Sequence, residues 1–267
     1  KPNFKFYKSF SSLATLDADN AFGHAAGFKA IEYSMKVAKK NGISVVSVRN
    51  SSHPGALASM SLKAARKGFL SLAFTHADAL MLSHNGKRAY FGTNPICFAV
   101  PRIEKEPYCL DMATSMISWN KLLIHKAKKK KLEDFFAATK DGYPTRDPDK
   151  SNALIGAGSY KGYGLASLVE ILCGVYSGMN FGRSIPPMYT SSIKKPRKLG
   201  QFYITMRVDG SLSKSNFLKQ MQKMCDEVRK EPKKKNTKVK LPNDNEIDIM
   251  KKNKKEGIKL SKEITKQ

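Results

Sequence analysis

Residues 43–55 read ISVVSVRNSSHPG. A short β-branched run, 43–48, breaks into a polar, turn-rich loop, which is the pattern of a strand ending in a connection. Upstream, residues 24–40 (HAAGFKAIEYSMKVAKK) place Ala26, Ala30, Ile31, Tyr33, Val37 and Ala38 near one helical stripe, and Asn41-Gly42 stops the helix. Downstream, 56–67 reads as a second helix closed by Lys67-Gly68, and 69–75 (FLSLAFT) as a second strand. Helix, strand, loop, helix and strand in succession specify an α/β layer structure.

The same patterning continues unevenly. Residues 96–100 and 108–112 are predicted strands around a Pro-containing turn, and 116–128 a helix. Residues 140–158 are rich in Gly, Pro and Asp and are expected to be irregular. Residues 161–176 (KGYGLASLVEILCGVY) form the most hydrophobic helix candidate, expected to be buried around most of its circumference. The segment 183–198, with three prolines and many cations, reads as a linker or lid. A strand at 201–208, a helix at 213–230, a Lys-rich loop at 231–240 and a short helix near 243–255 complete the chain.

The chain has 267 residues, 48 Lys+Arg against 22 Asp+Glu, and a net charge of +26. With 41% apolar residues it can bury a core, which excludes a disordered polybasic tail. No apolar run approaches the ~18 residues of a membrane span, and no secretory signal pattern opens the chain. The cationic excess comprises 39 Lys and only 9 Arg. Base readout and bidentate phosphate contacts favour Arg, so this balance fits a solvated surface better than a nucleic-acid site. Half of the excess lies in residues 194–267. Cys97, Cys109, Cys173 and Cys225 show no CxxC spacing and read as reduced core residues of a cytoplasmic protein.

Chemistry is expected at the strand ends, where open α/β sheets place their ligands. His53 lies in the loop Ser51-Ser52-His53-Pro54-Gly55, ahead of a helix N-terminus that offers free N–H groups. It is a candidate proton carrier, or a residue that only caps its own turn. Thr75-His76-Ala77-Asp78 ends the next strand, so Asp78 is either a second polar group in the same crevice or a turn former. His24, His84 and His125 could be surface or structural, as could His76, and no histidine pair has metal-ligand spacing. Asp111-Met112-Ala113-Thr114-Ser115 ends a strand in small residues that allow a ligand close to the backbone. Gly156-Ala157-Gly158-Ser159-Tyr160-Lys161-Gly162 is neither a Rossmann fingerprint nor a P-loop. It could still hold a phosphate, through Lys161 at a helix start, or serve only as a close-packing turn.

Taken together these segments resemble the type 2 malate/L-lactate dehydrogenase family, which includes ureidoglycolate, sulfolactate and diketogulonate oxidoreductases. The matching stretches are LDADNAFGHAA (16–26), GISVVSVRNSSHPGA (42–56), FGTNPI (91–96), LDMATS (110–115), DGYPTRDP (141–148) and KGYGLASLVEILCGVYSG (161–178), with LPNDNE (241–246) and EGIKL (256–260) near the end. The resemblance implies a mixed-sheet, non-Rossmann NAD(P)-binding domain with helices on both faces over residues 16–190. A smaller, partly helical and Lys-rich C-terminal region would cover 191–267, and a homodimer is expected. It implies hydride transfer between NAD or NADP and a small 2-hydroxy or 2-oxo acid, malate- or lactate-like. His53 falls on the active-site histidine, with Asp78 beside it. Ala77, Asp111, Met112, Ala113, Thr114, Ser115, Lys161, Gly162, Asn243 and Asp244 fall on cofactor-contacting positions.

Three departures accompany the resemblance. Family members carry an N-terminal helical segment with a Ser-His-Gly motif and a following Arg. Residues 1–15 are expected to be a remnant of that region, without the second catalytic histidine and the carboxylate clamp, and with apolar surface left uncovered. Ala77 stands where the ureidoglycolate branch has a lysine, and Pro242-Asn243-Asp244 replaces Pro-Gly-Glu. The alternatives to a working oxidoreductase are therefore a truncated or degenerate homologue that binds nucleotide without turnover and, from the charge alone, a basic nucleic-acid-binding protein.

Overall fold

A computed structural model describes residues 1–103, 105–192 and 195–258. Residues 259 and 260 of the EGIKL stretch, with the rest of the terminus, lie outside the described residues. In chain order the elements are β1 (Lys5–Lys8), β2 (Leu13–Asp17), α1 (Gly23–Asn41), β3 (Ile43–Ser51), α2 (Ala58–Arg66), β4 (Phe69–Thr75), β5 (Met81–Leu82), β6 (Ala89–Phe91), β7 (Ile96–Val100) and β8 (Tyr108–Met112). They continue with α3 (Trp119–Ala127), β9 (Ala137–Ala138), β10 (Pro144–Thr145), β11 (Ala153–Leu154), α4 (Tyr160–Glu170), β12 (Leu199–Arg207), α5 (Lys214–Lys230) and α6 (Asp244–Glu256).

The expected helices and strands of the first half form within a few residues of their predicted bounds. Asn41-Gly42 stops α1 as read: Gly42 adopts φ +85°, a conformation that favours glycine, and its N–H caps Ala38 O at 2.8 Å. Seven strands form one mixed sheet in the order β1-β2-β3-β12-β4-β7-β8, in which only β2 and β3 run parallel. A second sheet, β10-β9-β11-β5-β6, lies in the stretch expected to be irregular and its surroundings. The central strand, β12, comes from the segment that sequence places in the C-terminal region, and it pairs with both β3 and β4.

Strand alternation builds two cores. Val46, Val48, Ala73, Cys97, Ala99 and Tyr203 point to one face, where they pack with Ala26, Ala30 and Ile31 of α1 and Met60, Ala64 and Ala65 of α2. Phe74 and Phe202 point to the other, against Val169 of α4 and Cys173. Helices thus cover both faces, as the resemblance implied. The long helix departs from expectation in two ways. It changes to a π-helical turn at Ile171–Val175, and one side stays outside the core: Leu165, Leu168, Ile171, Val175 and Tyr176 are each 40–58% exposed. Only the side carrying Val169 and Cys173 meets the sheet, because a helix laid on a sheet presents it a single stripe.

Two buried polar side chains fasten these layers. Gln201 donates through Nε2 to Gly23 O (3.0 Å) and Ser51 Oγ (2.7 Å), and its Oε1 accepts from Tyr203 Oη (2.5 Å). His76, fully buried just after β4, accepts the Gly200 N–H at Nε2 (3.0 Å). Burial, aided by the Arg197 charge, drives its pKa down to about 3.

Unfolded histidine titrates near 6.5, so between pH 6.5 and 3 the unfolded chain binds a proton at residue 76 that the native state refuses. Stability should therefore fall as pH drops through that window, this residue contributing up to about 1.4 kcal/mol per pH unit. Urea unfolding at pH 7, 6, 5 and 4 measures the slope, and His76→Gln should flatten it.

Candidate active site

The loop after β3 returns His53 to the end of the sheet. Gly55 N–H donates to His53 Nδ1 (3.1 Å), which orients the ring and leaves Nε2 unused by the loop. His53 is exposed and lines a cleft of about 680 Å³. Asn20, Phe22 and Ser52 form one wall, and Pro187, Met188, Lys195 and Arg197 another. Asp78, at the end of β4, is 4% exposed and ion-pairs with Arg197. Its other oxygen accepts the Met188 N–H (3.1 Å), while Arg197 Nε donates to Pro186 O (3.2 Å). Partial enclosure by the loop lowers the His53 pKa below the ordinary histidine value; Arg197 lowers it further and Asp78 raises it. The stretch read as a linker or lid is therefore tied to the site through Arg197 and Met188.

A second group of expected site residues gathers at the end of β8. Thr114 donates from N (2.9 Å) and Oγ1 (3.0 Å) to Thr93 O, and its carbonyl accepts the Ala157 N–H (2.8 Å). Ser115 bridges to Gly156 and donates through Oγ to Ile117 O (2.7 Å). Gly162 sits so close that an added Cβ would stand 2.2 Å from Ala157 N and 2.4 Å from Thr114 O, which makes glycine obligatory there. Lys161 is exposed on the first turn of α4, and Met112 and Ala113 are not fully covered. Small side chains and an exposed lysine at a helix start fit the phosphates of a dinucleotide.

The two groups are joined by Asn94, in the turn Gly92-Thr93-Asn94-Pro95. Its Oδ1 accepts the Ala77 N–H (3.1 Å), and its Nδ2 donates to Ala166 O (2.9 Å) and Glu170 Oε2 (2.6 Å). Glu170, itself buried, also accepts the Gly182 N–H (2.6 Å), and burial raises its pKa. Sequence reasoning passed over Asn94, Glu170 and Arg197. Asn94 stood in the quoted stretch FGTNPI (91–96), and a carboxylate inside the most apolar helix was the one signal for Glu170.

The remaining residues stand apart. Asp111 accepts the Ala58 N–H (2.8 Å) and so caps the start of α2. Burial raises its pKa, and Glu246 adds repulsion, which brings the start of α6 within electrostatic reach. Asn243, at φ +75°, leads into α6, where Asp244 pairs with Arg229 (2.7 Å) and accepts the Leu241 N–H (2.9 Å).

A profile of the malate/L-lactate dehydrogenase family matches residues 1–267. The NAD(+)-dependent ureidoglycolate dehydrogenase of Escherichia coli K12 is 35% identical over 206 residues, 77% of this chain and 59% of its own length. The L-sulfolactate dehydrogenase of Methanocaldococcus jannaschii is 30% identical over 269 positions, spanning 100% of this chain and 77% of that one. Its solved structure superposes with a TM-score of 0.91 at 29% identity over 98% of this chain and 76% of that chain. That of Entamoeba histolytica malate dehydrogenase gives 0.89 at 27% identity, covering 97% and 76%. The chain thus spans less than two thirds of the E. coli relative.

The charge balance around His53 can be read directly. Arg197→Ala should raise its pKa and Asp78→Asn should lower it, each followed by the imidazole proton shift across pH 4–8.

Proposed function

We propose that this chain, which belongs to the malate/L-lactate dehydrogenase family, carries the proton-transfer and dinucleotide-binding parts of an NAD(P)-dependent oxidoreductase acting on a small 2-hydroxy or 2-oxo acid. The observation that carries this reading is the cleft in which His53 faces the Asp78–Arg197 pair. Relatives named for malate, sulfolactate and ureidoglycolate support the substrate class, and relatives named for NAD(+) and NADP(+) support the cofactor.

Bound NAD(P) would supply the hydride acceptor or donor. His53 accepts the hydroxyl proton as the alcohol carbon loses its hydride, and returns it in the reverse direction. A lowered pKa keeps the imidazole neutral and receptive near pH 7. The Asp78 carboxylate stabilises the imidazolium that forms, and the pair with Arg197 holds that carboxylate in place. Arg197, held from the other side by Pro186 O, brings positive charge to a cleft that must attract a carboxylate. Met112, Ala113 and Lys161 would hold the dinucleotide, Lys161 on the side of its phosphates, and the tight packing of Gly162 against Thr114 and Ala157 sets where that helix starts. Nucleotide binding is assigned mainly to residues 16–190, with β12 added from the C-terminal region.

The exposed stripe Leu165, Leu168, Ile171, Val175 and Tyr176 is assigned to a homodimer contact, since an apolar patch of this kind marks an interface. A cytoplasmic location is supported by four cysteines that are all buried and unpaired. No helix among the described residues is long and apolar enough to cross a membrane.

Two measurements test the reading. NADH and NADPH oxidation with oxaloacetate, pyruvate and related 2-oxo acids should fall by about 10²–10⁴-fold in His53→Ala; equal rates would remove His53 from the chemistry. Leu168→Glu with Ile171→Glu should halve the sedimenting mass.

A further inference from the structure

The strand pair β7–β8 ends in a turn whose Arg102 is only 9% exposed. Its Nε and Nη2 are covered from solvent and have no hydrogen-bond partner. A guanidinium is always charged, and leaving two of its N–H groups buried and unmet is costly. Asp226 and Asp244 feel its charge, yet neither lies within ion-pair distance. Arg102 forms a partition between two cavities, of about 630 and 550 Å³.

The smaller cavity is lined by Arg102, Lys105, Lys238 and Lys251, and by the first two turns of α6. Its acidic groups are already engaged: Glu106 with Arg66, Asp244 with Arg229, and Asp248 with Lys240. Arg102, Lys105, Lys238 and Lys251 form no ion pair among the described residues, so the cavity wall has four uncompensated cations. In the larger cavity the last turn of α2 presents carbonyls, the negative end of a helix, which disfavours an anion there.

We propose that the smaller cavity is a phosphate-binding site with Arg102 as its anchor. A phosphate group carries the negative charge and the several oxygens that the Arg102 charge and the three lysines can share. It could belong to the 2′-position of NADP, because Asp244, which the family resemblance puts at a cofactor-contacting position, lines the same cavity; that source rests on the proposed function. It could equally belong to a separate phosphorylated compound.

Titration calorimetry with inorganic phosphate, NADPH and NADH in turn, at matched ionic strength, tests the site. Phosphate should bind, and Arg102→Met and Lys251→Ala should each weaken it about tenfold, whereas Lys67→Ala, in the other cavity, should not. Arg102→Met removes an unmet buried charge and should keep or raise Tm, so lost binding there is not lost folding; Lys251→Ala lies on the surface. NADPH binding about tenfold more tightly than NADH, with the preference gone in both variants, supports the site and assigns it to the dinucleotide. Equal dinucleotide affinities with Arg102-dependent phosphate binding support it as a separate site. If neither dinucleotide binds while phosphate does, the oxidoreductase reading fails and the site stands. The proposal is overturned if neither phosphate nor NADPH affinity responds to Arg102→Met and Lys251→Ala, or if Lys67→Ala alone abolishes binding.

Discussion

Much of the geometry depends on one buried amide. Gln201 sits in the middle strand of the large sheet; beside its strand neighbour Tyr203, its partners Gly23 and Ser51 come from parts of the chain 150 or more residues away. Through Gly23 it fixes where α1 begins, and through Ser51 it fixes where β3 ends. The loop bearing His53 leaves the sheet two residues beyond Ser51. A fully buried amide tolerates no unmet donor or acceptor, so these three contacts stand or fall together. Helix start, strand end and the departure of the His53 loop are thereby set by the same side chain.

Around the cleft, the protein solves the usual problem of a buried carboxylate by pairing it. Asp78 is nearly inaccessible, and its two oxygens are met by Arg197 and by a backbone N–H from the same returning segment. That pair then acts on His53 from both sides, one partner favouring the imidazolium and the other opposing it. Burial and Arg197 tip the balance toward the neutral ring. His76, two residues before Asp78 in sequence, meets the same positive charge and, being fully buried, stays neutral far into acid.

The sequence made local structure legible where periodicity and stop signals coincide. The strand at Phe69–Thr75 appears with the predicted bounds, because apolar residues alternate between two covered faces and Lys67-Gly68 marks its start. The position of β12 was not legible: its alternation marks a strand, but nothing in residues 199–207 says that it lies between two strands more than a hundred residues earlier. The long helix looked buried because its composition is apolar throughout, whereas burial depends on which side meets the sheet. In the site, His53 and Asp78 were visible as polar ends of apolar runs. Arg197 was hidden in a proline- and lysine-rich stretch, where one cation among many carries no signal until its partner is known. Asn94 and Glu170 work through contacts 12 to 76 residues apart in sequence, which no local pattern records.

The place of β12 also dictates a timetable. Synthesis delivers β1 to β8 long before Leu199–Arg207, so until then the large sheet exists only as two halves, β1-β2-β3 and β4-β7-β8, facing each other across an empty lane. Each half shows a bare strand edge rich in Val, Leu and Phe, the kind of edge that pairs with the wrong neighbour. The last third of the chain is thus the keystone of a structure whose two flanks are already standing. A ribosome that stalls between residues 112 and 199 would leave both edges without the strand that joins them.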